Sequence, residues 1–221
     1  MGDEIILPTI KRCNLIYEKL YTPKNVINHS VLVSKISVLI AKLINKTNDK
    51  FKINVDLVKK ASLLHDCFKF LEFSEVNDST LNENNDKKII VWQKFKKQFS
   101  NLNHCMAGFE FFKDDYYELA LIIKKHDYKS IISDDESNRP ITIEEKIVSY
   151  ADKRVMHSKI VSLEKRFLEG LNRWKLKFNK DVDFNLIKQI NEAYFNLEYE
   201  LFNLIDLDKI EIEKKINALT L

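Results

Sequence analysis

The stretch VDLVKKASLLHDCFKF, residues Val55 to Phe70, decides how the rest of the chain is read. Leu57, Ala61 and Leu64 recur at helical spacing, so the segment is expected to form a helix from Val55 to Phe70 with an apolar stripe turned inward. His65 and Asp66 then fall late in a buried helix. Neighbouring helical residues differ by about 100° in azimuth, so the two can approach one ion from adjacent sides. Asp66 has two oxygens and could bridge two cations. Lys69, three positions after Asp66 and four after His65, shares their face of the helix and is a candidate phosphate clamp.

Upstream, Thr22 and Pro23 open a helix in which Val26, Val33, Ile36, Ile40 and Leu43 recur near the helical period to about Asn45, with His29 in its first turns. Downstream, Ser74 to Lys88 is rich in Asn, Asp and Ser, which compete with the helical backbone for its hydrogen bonds, and is expected to be an exposed loop. Lysines interleaved with Trp92, Phe95 and Phe99 describe an amphipathic helix with a solvated face, and no partner is inferred from it. Leu102 to Phe112 and Asp115 to His126 read as two more helices, so His104 opens one and His126 closes the next. A polar loop follows through Asp134, Asp135, Ser137 and Pro140. Thr142 and Glu145 match a capping box, placing Asp152 about three turns inside the helix they start. Val161 to Leu221 is expected to form long helices with a break around Asn179 to Asp183. Phe167, Trp174, Tyr194, Phe195 and Phe202 there are assigned to core or subunit interface.

Three glycines and three prolines in 221 residues leave few obligatory breaks, which favours an all-α fold. The length suits one large domain, with a core over residues 1–160 and a helical extension over 161–221 packed on it. Cys13, Cys67 and Cys105 are odd in number and contain no Cys-x-x-Cys pair, which argues against a disulfide framework or a thiolate zinc knot and fits a reducing cytoplasm. The start of the chain lacks a signal peptide's pattern, and no segment is expected to approach membrane-spanning length. A net charge of +3 gives no electrostatic push towards a long nucleic acid and leaves room for a small anionic substrate.

Four of the five histidines and two aspartates fall on expected helices beside apolar residues, where polar side chains need partners. One such histidine is more often a hydrogen-bonded core residue than a ligand. Four with two aspartates point to metal. Imidazole and carboxylate donors suit first-row metals such as iron, manganese, cobalt, nickel or zinc without choosing among them. His157, five residues after Asp152 and about 500° round a helix, points elsewhere. Cys67 and Cys105 adjoin candidate ligands but are read as small buried apolar side chains. Gly108 either leaves room for substrate or allows close helix packing. Lys159, seven positions after Asp152 and so near its azimuth on a continued helix, joins Lys125 and Lys153 as candidate substrate contacts, with a solvated surface role as the alternative for each.

Over roughly Asn28 to Lys159 the chain resembles the HD superfamily of metal-dependent phosphohydrolases, named for its His-Asp pair. The family's pattern falls on His29, His65 with Asp66, His104, His126 and Asp152, and the two additional histidines resemble its two-metal members. The chain is further similar to the branch that hydrolyses diadenosine tetraphosphate symmetrically, through Gly108 four positions after His104, Lys69 after the His-Asp pair, and the phrase from Glu145 to Lys153. It departs from that branch at Asp127, Tyr128, Lys129 and Ser130, where small residues including glycine are usual.

The resemblance implies a helical bundle in which His29, His65, Asp66 and Asp152 hold one transition-metal ion, and Asp66, His104 and His126 a second, with iron or manganese as the expected metals. It also implies attack on a phosphorylated nucleotide by metal-activated water. A dinucleoside polyphosphate is the first substrate expectation. Another nucleotide (a monophosphate, triphosphate, alarmone or cyclic dinucleotide) and a non-catalytic sensing module remain the alternatives. The extension and the Asn-rich loop leave room for a cover over the pocket or for a homodimer.

Overall fold

Most helices among the described residues open on a side chain that accepts a hydrogen bond from the backbone N–H three residues ahead, satisfying a donor the first turn leaves free. Thr9 caps α1 (Ile10–Leu20), Asn54 caps α3 (Val55–Leu64), Asn103 caps α5 (His104–Phe112) and Thr142 caps α7 (Ile143–Lys153). Asp183 and Asp208 do the same for α9 (Phe184–Phe202) and α10 (Lys209–Asn217). At α7 the Glu145 carboxylate reaches back to the Thr142 N–H at 3.0 Å, completing the expected capping box. The remaining helices are α2 (Lys24–Thr47), α4 (Asp86–Gln98), α6 (Tyr117–Lys125) and α8 (Leu163–Phe178). The computed structural model describes residues 5–47, 52–73, 86–178 and 183–221, with side chains 174–178 set aside. Most of the expected Asn-rich loop, the expected break near Asn179 and the Trp174 side chain lie outside that description.

The all-α fold stands, with one two-stranded sheet among the described residues. Ile36, Ile40, Ala41 and Ile44 of α2 are fully buried, and the helix packs against both α3 and α7. By length and composition alone α2, at 24 residues, could cross a membrane, which corrects the expectation that no segment approaches that length. A core helix packed on several sides is apolar most of the way round and passes the same test. On the other flank α4 is the packed amphipathic helix expected. Its Trp92 stacks on Phe70 at 5.0 Å between ring centroids and donates from Nε1 to the Leu20 carbonyl at 2.9 Å. α4 begins at Asp86, inside the segment expected to be loop.

Two departures bear on the site. α3 ends at Leu64 rather than Phe70, and the chain tightens into turns in which Cys67, Lys69 and Leu71 donate to carbonyls three residues back. Such tightening is common where an α-helix ends. α7 stops at Lys153, and Val155–Met156 pairs antiparallel with Lys159–Ile160 across a turn in which His157 is left-handed at φ 57°. Lys159 is therefore exposed on a strand, not two helical turns beyond Asp152, and the azimuth argument for it as a substrate contact fails. His157 is exposed, as its spacing indicated.

Arg154, 1% exposed, joins the C-terminal helices to α7. Its guanidinium donates to both Glu213 oxygens at 2.8 Å, to the Tyr150 hydroxyl and to the Val161 carbonyl, with Glu198 at 3.6 Å. Tyr150 in turn donates to Glu198 at 2.9 Å. Removing one partner of a buried ion pair strands the others at low dielectric, a loss of about 3 kcal/mol or more. Arg154→Leu is accordingly expected to lower the unfolding free energy in urea by about that amount; a loss below about 1 kcal/mol would show that the buried charges tolerate separation.

Candidate metal centre

Five elements bring one candidate side chain each, or an adjacent pair, to a common point: α2 brings His29, the turn after α3 brings His65 and Asp66, α5 begins with His104, α6 ends into His126, and the last turn of α7 carries Asp152. At the middle lies the Asp66 carboxylate. Its Oδ1 is 3.0 Å from His104 Nε2 and 3.5 Å from His126 Nε2, and its Oδ2 is 3.6 Å from His65 Nε2 and 3.9 Å from His29 Nε2. Asp152 Oδ1 closes the second group at 2.9 Å from His29 Nε2 and 3.5 Å from His65 Nε2. The two oxygens of Asp66 thus face two separate sets of nitrogen and oxygen donors.

Backbone and carboxylate groups fix which nitrogen points inward. His65 Nδ1 meets the Ser62 carbonyl at 2.7 Å and His126 Nδ1 meets the Ile123 carbonyl at 2.6 Å. A carbonyl can only accept, so each Nδ1 carries a proton and Nε2 is turned towards the centre. His104 Nδ1 is held by the Glu72 carboxylate. Hydrogen-bonding the outer imidazole nitrogen in this way is how proteins orient a histidine towards a metal. His65 Nε2 is fully buried and has no hydrogen-bond partner among the described residues. An orphaned acceptor beside two carboxylates is costly in a metal-free core and is satisfied by a cation, so the donor set fits a metal.

Burial and charge act together here. Burial works against ionised Asp66, but His65 and Lys69 and hydrogen bonds from His104 and His126 outweigh it and hold the carboxyl well below its usual range. Burial pushes the His65 imidazole below its usual range, against the opposing pull of Asp66 and Asp152. Burial also opposes charge on His126, yet the neighbouring Cys105 thiolate and Asp66 lift it to about 10; burial likewise opposes ionisation of Cys105, but His126 and His104 outweigh it and draw the thiol down to about 7. Cys105 Sγ lies 3.4 Å from His104 Nε2 and 3.6 Å from His126 Nε2.

The candidate lysines divide. Lys69 is one-third exposed beside the centre, 3.0 Å from Glu72 Oε2 and 3.4 Å from His104. Lys153 is buried, binds Asp152 Oδ2 and the His126 carbonyl, and so holds the far side of the aspartate rather than facing solvent. Lys125 is buried against Glu145 at 2.9 Å, which ties α6 to the start of α7. Gly108 is explained by packing, because a Cβ there would come within 2.6 Å of the Ile123 side chain on α6.

Glu72 and the bracing carbonyls escaped the sequence reading, which took Cys105 for apolar filling although its sulfur faces two imidazoles. On an ideal α-helix Glu72 is about 600° round from Asp66 and faces away. At three residues per turn, positions 66, 69 and 72 eclipse, and the tightened chain brings Glu72 and Lys69 to the same side.

The family model for the HD domain matches residues 26–156, more than half of the chain. The chain belongs to the HD domain family. Members are in general metal-dependent phosphohydrolases, and this HD domain spans all six converging residues. No curated protein and no solved structure matches the chain.

With metal removed by chelation, His126 should remain protonated at neutral pH and titrate near 10, against 6.5 for an unperturbed imidazole. A raised folded-state pKa means that its stabilising contribution is complete below about 6.5 and is lost as pH climbs through about 10. Side-chain NMR of the chelated protein checks this, and a His126 imidazole titrating at or below 6.5 would contradict it.

Proposed function

We propose that His29, His65, Asp66 and Asp152 hold one cation and that Asp66, His104 and His126 hold a second, with Asp66 shared, in a phosphohydrolase acting on a nucleotide. The observation carrying this reading is the division of the Asp66 oxygens between two donor groups, each including inward-turned Nε2 atoms. Bound there, two cations supply Lewis acidity towards phosphoryl oxygens and make water a nucleophile at neutral pH. The donors are imidazoles and carboxylates, which suit iron or manganese.

The protein's own contribution is placement. Ser62, Ile123 and Glu72 fix three imidazoles, and Lys153 holds the outer oxygen of Asp152 so that the inner one faces His29 and His65. Exposure rises from His65, fully enclosed, to Lys69 and Glu72, which are one-third or more open, so substrate phosphates approach from the Lys69 side. The Lys69 ammonium stays charged: burial opposes its charge, but Asp66 and Glu72 outweigh that and raise its pKa. It can pair with an anionic oxygen there.

Among nucleotides we favour a dinucleoside polyphosphate, from the similarity of Lys69, Gly108 and the segment from Glu145 to Lys153 to the branch that cleaves diadenosine tetraphosphate symmetrically. Gly108 contributes less to this preference than its position suggested, since Ile123 accounts for it. Tyr128, in the segment that departs from that branch, donates to Asn191 Oδ1 at 2.7 Å and stacks on Tyr194, so the extension shapes the chain next to His126. We therefore treat residues 161–221 as an extension built onto the 1–160 core.

Incubating metal-loaded protein with a nucleotide panel and separating the products tests the reading. The expected result is two ADP from each diadenosine tetraphosphate and no turnover by Asp66→Ala. ATP with AMP, or preference for another nucleotide, would overturn the substrate assignment, and two bound ions with no cleavage of any member would overturn the enzymatic one. Lys69→Ala is expected to lower kcat/KM by roughly a hundredfold, about 2.7 kcal/mol, with partial recovery in Lys69→Arg. Unchanged kinetics would remove Lys69 from the site.

A further inference from the structure

We infer that the Cys105 thiolate is an additional ligand of the cation held by Asp66, His104 and His126, making the two metal positions chemically unlike. The inference rests on the two-cation reading above and goes beyond its ligand set, which contains no sulfur.

The distances carry it. A tetrahedral ion with metal–nitrogen bonds of about 2.0 Å and a metal–sulfur bond of about 2.3 Å places neighbouring donors about 3.2–3.6 Å apart. His104 Nε2 and His126 Nε2 are separated by 3.3 Å, and Cys105 Sγ lies 3.4 and 3.6 Å from them. Asp66 Oδ1 is 3.0 and 3.5 Å from the same two nitrogens. Four of these five edges have coordination lengths and the fifth, at 3.0 Å, falls just short of them, and they come from four side chains on three separate elements. Both imidazoles have Nδ1 engaged elsewhere, by Glu72 and by the Ile123 carbonyl, so their Nε2 atoms are left to the point that Sγ also faces.

A cysteine that only fills core volume has no need of this direction. Cys67 supplies the comparison within the same chain, being equally buried and next to Asp66, yet its sulfur makes no close contact with any imidazole of the centre among the described residues. Cys105 sits in the first turn of α5, one position after His104, where the helix start fixed by Asn103 sets both donors. Side chains one residue apart on a helix diverge by about 100°, so they can meet one ion only if it lies between them near the helix end.

The chemical consequence is a division of labour by softness. The group of His29, His65, Asp66 and Asp152 offers nitrogen and oxygen alone, whereas the Cys105 group adds a thiolate and selects softer ions such as zinc, cobalt or ferrous iron over manganese or magnesium. The two positions should therefore load with different affinities and admit a mixed-metal state.

Cobalt substitution followed by absorption spectroscopy tests this, because a thiolate bonded to Co2+ gives a near-ultraviolet charge-transfer band that nitrogen and oxygen donors do not. The full chain, freed of metal and titrated with Co2+, should bind two equivalents and develop the band with one of them. Cys105→Ser should lose the band and weaken one equivalent by at least about tenfold, while Cys67→Ser keeps both. Two equivalents bound by wild type without the band would overturn the Cys105 assignment and leave the two-cation reading standing. A band that survives in Cys105→Ser, or disappears only in Cys67→Ser, would also overturn it. Failure of wild type to bind any Co2+ would overturn both readings. Absence of the band from the wild-type spectrum overturns the assignment whether or not either variant folds.

Discussion

A single carboxylate with its two oxygens facing different donor groups organises this molecule. Asp66 cannot lie buried and ionised without compensation, since the desolvation of a carboxylate costs several kcal/mol even in a relaxed protein interior. Compensation comes from His65, His104, His126 and Lys69, with His29 3.9 Å away, so that α2, α5, α6 and the turn after α3 all reach it. Those elements must therefore meet at one point, and the apolar packing of α2 against α3 and α7, and of α5 against α6, brings them there. The cluster is not a by-product of the core. The core is the frame that keeps the cluster from relaxing.

Much of that frame was legible in the chain. Hydrophobic residues at helical spacing located α2 and the body of α3, the Thr142–Glu145 pair located α7, and the few glycines and prolines gave the all-α class. His104 at the start of one helix and His126 at the end of another were also foreseen, because helix limits follow local chemistry such as the Asn103 cap. What escaped depends on departures from ideal periodicity. A regular helix to Phe70 gave no reason to look to Glu72, and extending α7 beyond Lys153 put Lys159 on the side of Asp152, whereas a tightened turn and a hairpin replace the two extensions.

Side-chain direction was the other illegible quantity. Cys105 and Cys67 look alike in sequence, each following a candidate ligand, and burial alone does not separate them. Only the placement of Sγ against two imidazole nitrogens does. The Arg154 network was hidden for the same reason, since its partners Glu198 and Glu213 lie far along the chain and no local pattern announces a buried arginine. Its effect reaches the site indirectly: Arg154 follows Asp152 by two residues, so anchoring it to α9 and α10 fixes the end of the helix that presents the second carboxylate.

The central claim is that two cations share Asp66. Anomalous scattering from crystals of protein purified without chelator, with data collected on both sides of the absorption edges of the first-row metals, tests it most directly. Expected are two peaks flanking the Asp66 carboxylate, one towards His29, His65 and Asp152 and the other towards His104 and His126. A map with no peak there, or with a single ion that leaves either Asp66 oxygen without metal, would contradict it.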